Sequence, residues 1–231
     1  MIRDRAIVDV WLASLDDEVR DPEQCLAPDE LMRARSFVDR VAARRYVAGR
    51  ANLRHILATY LNCSAAGVQF QYGQFGKPLL SGSHAGELHF NVSHADELAA
   101  YAICTSADVG IDIERDDGRI DPQELAPMIC SADELRQFRN CPPEEQRDRF
   151  FGLWTRKEAY IKCVGRGFSL EPNQVDVSLS DAPEVTVGAG DLRCSIRTLP
   201  IVAPFYLSVA SNAATTEVQR YAWWPTGTAA P

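Results

Sequence analysis

A chain of 231 residues, 46% of them hydrophobic, is long enough for one large domain or two small ones with an adequate core. Its net charge of −8 argues against general nucleic-acid binding, and no stretch approaches the ~20 consecutive apolar residues of a membrane span. The first ten residues carry charges where a signal peptide needs an apolar run. The seven cysteines are scattered without a Cys-x-x-Cys pair, so the expectation is a cytoplasmic chain of reduced thiols with no structural zinc.

Residues 6–12 read as a strand, and Pro28 opens a helical region that breaks once before running to about Leu61. Between residues 33 and 54 lie Arg33, Arg35, Arg40, Arg44, Arg45, Arg50 and Arg54, with Asp39 the only acid. Several of these belong to a solvated helix face. So one-sided a run in an acidic chain also points to an anion site, because guanidinium forks suit phosphate oxygens. Strands follow near 68–72, 88–92, 98–104 and 109–114. Phe75-Gly76-Lys77-Pro78 is a turn carrying one exposed cation. Asn91-Val92-Ser93-His94 ends a strand, and neighbouring strand residues point to opposite faces, which disfavours a Ser93–His94 nucleophilic pair. The Gly-x-Ser-x-Gly elbow is also missing. A histidine beside an anion site, or an ordinary surface histidine, fits better.

In the strand 109–114, Val109, Ile111 and Ile113 share one face, while Gly110, Asp112 and Glu114 share the other. The glycine leaves room for something to approach the backbone. Further on, Ser131 opens a helix with Glu134 as a capping box. The helix 143–164 follows and stops at Gly165-Arg166-Gly167. Its Glu158 falls on the apolar stripe of Phe150, Phe151, Trp154, Ile161 and Val164, and Lys162 shares that side. A carboxylate on such a stripe is costly unless a cation or proton neutralises it. The competing reading is a surface Glu158–Lys162 ion pair. Three carboxylates with lysines beside them point to a hard divalent cation and a phosphate-bearing substrate. Strands near 174–179, 193–198, 204–210 and 218–223 complete the chain, and Pro225 to Pro231 read as a disordered tail. Each half shows helix followed by strands. The expected fold is therefore α+β with two similar halves, residues 1–112 and 113–231.

Phe75-Gly-Lys-Pro78, Asn91-Val-Ser-His94, Val109-Gly-Ile-Asp-Ile-Glu114 and Phe151-Gly-Leu-Trp-Thr-Arg-Lys-Glu-Ala-Tyr-Ile-Lys162 resemble, in order, the motifs of the 4′-phosphopantetheinyl transferases. Gly165-Arg-Gly167 fits as well, and the resemblance runs from about residue 28 to 170. The class it is most similar to is the surfactin-type (Sfp-type), a monomer of two pseudo-symmetric halves.

The resemblance implies transfer of the phosphopantetheine arm from coenzyme A to a serine of an apo carrier protein, with adenosine 3′,5′-bisphosphate leaving. It implies Mg²⁺, with Mn²⁺ the alternative, on Asp112, Glu114 and Glu158. Coenzyme A falls to Ser93 and His94, with Asn91 in the same motif, and to the adenine-side loop Gly76, Lys77 and Pro78. Arg50 matches a phosphate position, and Arg33 and Arg45 match less closely. Lys162 meets the pyrophosphate, with Lys157 a further cation on the leaving side. Asp112, Glu158 and Lys162 are the catalytic set, and the base is either Glu158 or a metal-bound water. The carrier is an acyl or peptidyl carrier protein of fatty-acid, polyketide or nonribosomal-peptide synthesis. Residues 120–140, with Leu125, Met128, Ile129 and Phe138, are part of its docking surface or else ordinary core. Two other readings use the same residues: a Mg²⁺-dependent phosphoesterase, and a silent homologue that only binds carrier protein.

Overall fold

The computed structural model describes residues 3–19, 21–165, 170–180, 182–188 and 190–223. The chain opens with β1 (Arg3–Ser14), followed by α1 (Pro28–Arg35) and α2 (Arg40–Leu61). The expected single break lies between these helices, where the Asp39 side chain caps α2 by accepting from Val41 N at 2.8 Å. A short hairpin, β2 (Phe70–Tyr72) and β3 (Pro78–Leu80), leads into β4 (His89–Ala95) and β5 (Leu98–Cys104). The second half repeats the plan with β6 (Val109–Arg115), α3 (Pro122–Ile129), α4 (Ala132–Asn140) and α5 (Pro143–Val164). The strands β7 (Glu184–Val187), β8 (Cys194–Leu199), β9 (Phe205–Ser211) and β10 (Ala213–Trp223) finish it. Ser131 and Glu134 form the expected capping box of α4, and Gly165 closes α5 at φ 70°. Arg166 and Gly167 lie outside the described residues, as does the 225–231 tail.

Two four-stranded sheets result, ordered β10-β1-β5-β4 and β6-β9-β8-β7. In each half the opening strand pairs antiparallel with the closing one, β1 with β5 and β6 with β9. Val8, Val10, Ala100 and Ala102 of the first sheet share a core with Ile111, Ile113, Leu207 and Val209 of the second. The opposite faces carry the long helices. Leu53, Ile56 and Leu57 of α2 pack on Trp11, Phe90 and Tyr101, and Phe150, Phe151 and Ile161 of α5 pack with Val177 and Ile196. Among the described residues no helix is long and apolar enough to cross a membrane, and all seven cysteines are free thiols.

Three expectations need correction. A boundary after residue 112 would cut β6, all of which belongs to the second sheet, and β10 returns to the first sheet by pairing parallel with β1. Residues 174–179 are not a strand. Val175, Val177 and Leu179 are buried alternately, but side chains take the place of a ladder partner: Glu134 accepts from Val177 N, and Lys157 and Arg149 donate to the carbonyls of Val175 and Leu179. The segment before α4 holds α3, announced by Asp121, whose carboxylate caps Gln123 N, and by Pro122 at the first helical position.

Candidate active site

The site begins with Gly110. A Cβ there would stand 2.0 Å from Ala159 O and 2.4 Å from Cys163 N, so the glycine is what lets α5 lie directly on the backbone of β6. That contact brings Glu158 and Lys162 over the face carrying Asp112 and Glu114. Lys162 reaches across to the strand: its Nζ donates to Asp112 Oδ1 at 2.6 Å and to Ser93 Oγ at 3.0 Å. Ser93 Oγ in turn donates to Asp112 Oδ1 at 3.0 Å.

Asp112 is 2% exposed, and its Oδ2 is buried without a hydrogen-bond partner. Burial pushes its carboxyl pKa up, against the opposing pull of the Lys162 charge and hydrogen bonds. Glu114 is raised to about 7, by burial first and then by the like charges of Asp112 and Glu158. Burial and Asp112 raise Glu158 as well. The Asp112 charge raises the proton affinity of both glutamates, so this face is short of positive charge. Among the described residues no three His, Cys, Asp or Glu side chains are drawn together as a ready-made metal centre; the cation meeting Asp112 is the Lys162 ammonium. The donor set nevertheless fits a hard divalent ion, since it is all carboxylate oxygen and includes the orphaned Asp112 Oδ2.

Beside this face, a cavity of about 630 Å³ opens in the first half, with Arg33, Arg45, Arg50, His94, Gly76 and Pro78 in its wall. The strand β4 joins the two places, because Ser93 touches Asp112 while His94 lines the cavity. Crowding by neighbours, together with the Lys162 charge, holds the His94 imidazole below its ordinary pKa. Each arginine is oriented by a partner. Arg45 grips Asp16 with two bonds of 2.8 and 2.9 Å, and Arg33 lies over the Tyr46 ring at 5.5 Å. Arg50 donates to Glu30 at 2.5 Å and stands 4.7 Å over the Phe70 ring. Phe37, Tyr46 and Tyr72 add aromatic surface that sequence reasoning passed over. The available signal was aromatic residues interleaved with the arginines of α2, Tyr46 lying between Arg45 and Arg50.

Family models match nearly the whole described chain. Residues 11–106 match the N-terminal model described as 4′-phosphopantetheinyl transferase, and residues 108–211 match the 4′-phosphopantetheinyl transferase superfamily. The 4′-phosphopantetheinyl transferase HetI of Nostoc sp. is 35% identical over 75% of this chain and 74% of its own length. The enzyme psf-1 of Bacillus pumilus is 30% identical over 88% of each chain, and Sfp of Bacillus subtilis is 26% identical over 80% of this chain and 82% of its own. This chain belongs to the 4′-phosphopantetheinyl transferase superfamily. It is a transferase, and the junction between the two models falls in the loop between β5 and β6.

Within this transferase three expected ligand residues are turned to structural work. Lys157 is fully buried; its Nζ sits 2.6 Å from Glu134 and also donates to the carbonyls of Pro172 and Val175, so it cannot serve the leaving group. One residue along a helix is a turn of about 100°, which separates Lys157 from Glu158. Lys77 sends its ammonium into the protein, donating to Val109 O and Lys162 O at 3.0 Å each, while its neighbours Gly76 and Pro78 line the cavity. Asn91 Oδ1 accepts from Ile111 N at 2.9 Å and stitches β4 to β6. Of the expected docking residues, Phe138 is core, Leu125 and Ile129 pack against that core, and Met128 stays outside at 66% exposure.

Proposed function

We propose that this transferase moves the 4′-phosphopantetheine arm of coenzyme A to a serine of an apo carrier protein, using Mg²⁺ and releasing adenosine 3′,5′-bisphosphate. The observation that carries the reading is the adjacency of two unlike places. An arginine-lined cavity of about 630 Å³ meets, through Ser93 and His94, a face of three charge-starved carboxylates. The first suits a polyanionic nucleotide, and the second suits the cation that accompanies its pyrophosphate.

Asp112, Glu114 and Glu158 would hold the Mg²⁺, which when bound supplies positive charge to the pyrophosphate oxygens. Arg33, Arg45, Arg50 and His94 hold the nucleotide end, with the Gly76–Pro78 turn against it. Lys162 meets the charge that grows on the departing bisphosphate, and Glu158 accepts the proton of the attacking serine. Positioning and cations aimed at developing charge do most of the work in such a displacement. The enzyme acts as a cytoplasmic monomer on carriers of fatty-acid, polyketide or nonribosomal-peptide synthesis.

The test is intact-mass analysis of several apo carriers incubated with the enzyme, coenzyme A and Mg²⁺. The expected product is a carrier heavier by one phosphopantetheinyl group, lost when its serine is changed to alanine. Coenzyme A cleavage without a modified carrier would assign a phosphoesterase instead.

A further inference from the structure

The second half contains a cavity that answers the first one position for position. Counted from their starts, Arg45, Gly49 and Leu53 are the sixth, tenth and fourteenth residues of α2, and Asp148, Gly152 and Arg156 hold the same places in α5. The first trio lines the arginine-rich cavity together with Ala99 and Tyr101 of β5. The second lines a cavity of about 600 Å³ together with Phe205, Tyr206 and Leu207 of β9. That volume lies within the range of small-molecule sites.

Gly152 keeps this space open. It does not stand among the positive-φ glycines, and a Cβ built on it meets nothing within 4 Å. Glycine weakens a helix interior relative to alanine, and here neither backbone geometry nor close packing requires it. The wall differs from that of the first cavity in its charged groups. Asp148 replaces Arg45, and it accepts a hydrogen bond from the Tyr206 hydroxyl. The arginine heads are directed at protein acceptors: Arg156 at Thr198 Oγ1 and the carbonyls of Ser178, Ser180 and Ala182, Arg149 at Glu145 and Leu179 O. The remaining surface is largely apolar, with Leu153, Leu179, Leu199 and Ile201.

We propose that this cavity is a second ligand site, separate from the transfer site, for a small apolar amine whose body lies against Leu199, Ile201 and the Tyr206 ring and whose cationic head pairs with Asp148. In its pseudo-symmetric twin the arginines line the space; here the arginine heads are committed to protein acceptors, and Asp148 is the acid of the wall.

The probe is 4-phenylbutylamine titrated into the full-length protein by calorimetry, with 4-phenylbutyrate as its anionic counterpart. The expected result is submillimolar amine binding, with the acid at least tenfold weaker. Asp148→Asn should weaken the amine about tenfold, and Gly152→Leu, which fills the space, should remove its binding. Coenzyme A affinity should stay unchanged in both variants, which also reports that they are folded. Absence of amine binding at millimolar concentration, equal affinity for amine and acid, or binding that survives Gly152→Leu would each overturn the proposal.

Discussion

The pair α1/α2 and the pair α4/α5 bury charge by the same device. In each, a glutamate at the third position of the short helix accepts from the backbone N–H of the N-cap residue, Glu30 from Ala27 N and Glu134 from Ser131 N, and only Ser131 returns a side-chain bond to complete a capping box. In each, the fifteenth residue of the long helix supplies the cation, Arg54 in α2 and Lys157 in α5. Both cations then reach a tight turn beyond the helix, Arg54 donating to Ala65 O and Val68 O, Lys157 to Pro172 O and Val175 O. The halves part company one turn of surface away. The sixteenth and twentieth residues are His55 and Thr59 in α2 but Glu158 and Lys162 in α5. The strand carboxylates differ to match: Asp9 accepts from the neutral Tyr60 hydroxyl at 2.6 Å, whereas Asp112 faces the Lys162 ammonium. A repeated architecture thus carries an arginine-lined cavity in one half and a carboxylate–lysine face in the other.

The largest effect should come from the carboxylates of the β6–α5 face. Asp112→Asn or Glu158→Gln is expected to lower carrier modification by about three to four orders of magnitude, roughly 4–5.5 kcal/mol of barrier, with chelation of the metal giving a similar loss. The fold should persist, with thermal stability equal or higher, because like charges are relieved. Asp9→Asn, on the opening strand of the first half, should leave turnover near normal. A comparable loss in both variants would end the distinction drawn between the halves.

Breaking the repeated buried pairs tests the shared part of the comparison by stability. Lys157→Ala strands Glu134, which is fully buried, and should cost about 3–5 kcal/mol in denaturant unfolding. Arg54→Ala should cost less, about 2–3 kcal/mol, because Arg50 still holds Glu30 at 2.5 Å. Equal losses would mean that Arg50 gives Glu30 no support.

Lys162 tests what is peculiar to the second half. In the proposed reaction it meets charge that changes, and interactions made in the transition state alone act on kcat. Lys162→Ala should lower kcat about a hundredfold, or ~2.7 kcal/mol, with KM for coenzyme A changed only a few-fold. A normal kcat with a raised KM would make the lysine a ground-state contact.

Much of this division was legible before any coordinates. Period-two alternation in 109–114 separated Asp112 and Glu114 from the core face, and helical spacing put Glu158 and Lys162 on one side of α5. Gly110 was read as space for an approach, and the helix itself fills that space. The misses at Lys77, residues 174–179 and β10 share a cause, which is long-range contact. Lys77 looked like an exposed turn cation, but its carbonyl partners lie 32 and 85 residues away. Val175, Val177 and Leu179 alternate as a strand would, because side chains of α4 and α5 satisfy a backbone that has no ladder partner. The parallel return of β10 to β1 leaves no local trace at all.

The smallest effect concerns Arg50 and ties the two halves together. It is the eleventh residue of α2, and Leu153 holds the same place in α5, so a cation here is a property of the arginine-lined half alone. A charge-assisted contact to a phosphate contributes about 1.5–3 kcal/mol. Arg50→Ala should therefore weaken coenzyme A by about one to two decades in a calorimetric titration. Arg54 keeps Glu30 paired at 2.7 Å, so the loss should appear in affinity with little change in unfolding. Dephospho-coenzyme A should lose much less if the guanidinium meets the 3′-phosphate. Equal losses for the two ligands would move Arg50 to the pyrophosphate, and an unchanged affinity would return it to the scaffold, leaving Arg33, Arg45 and His94 as the anion-binding set.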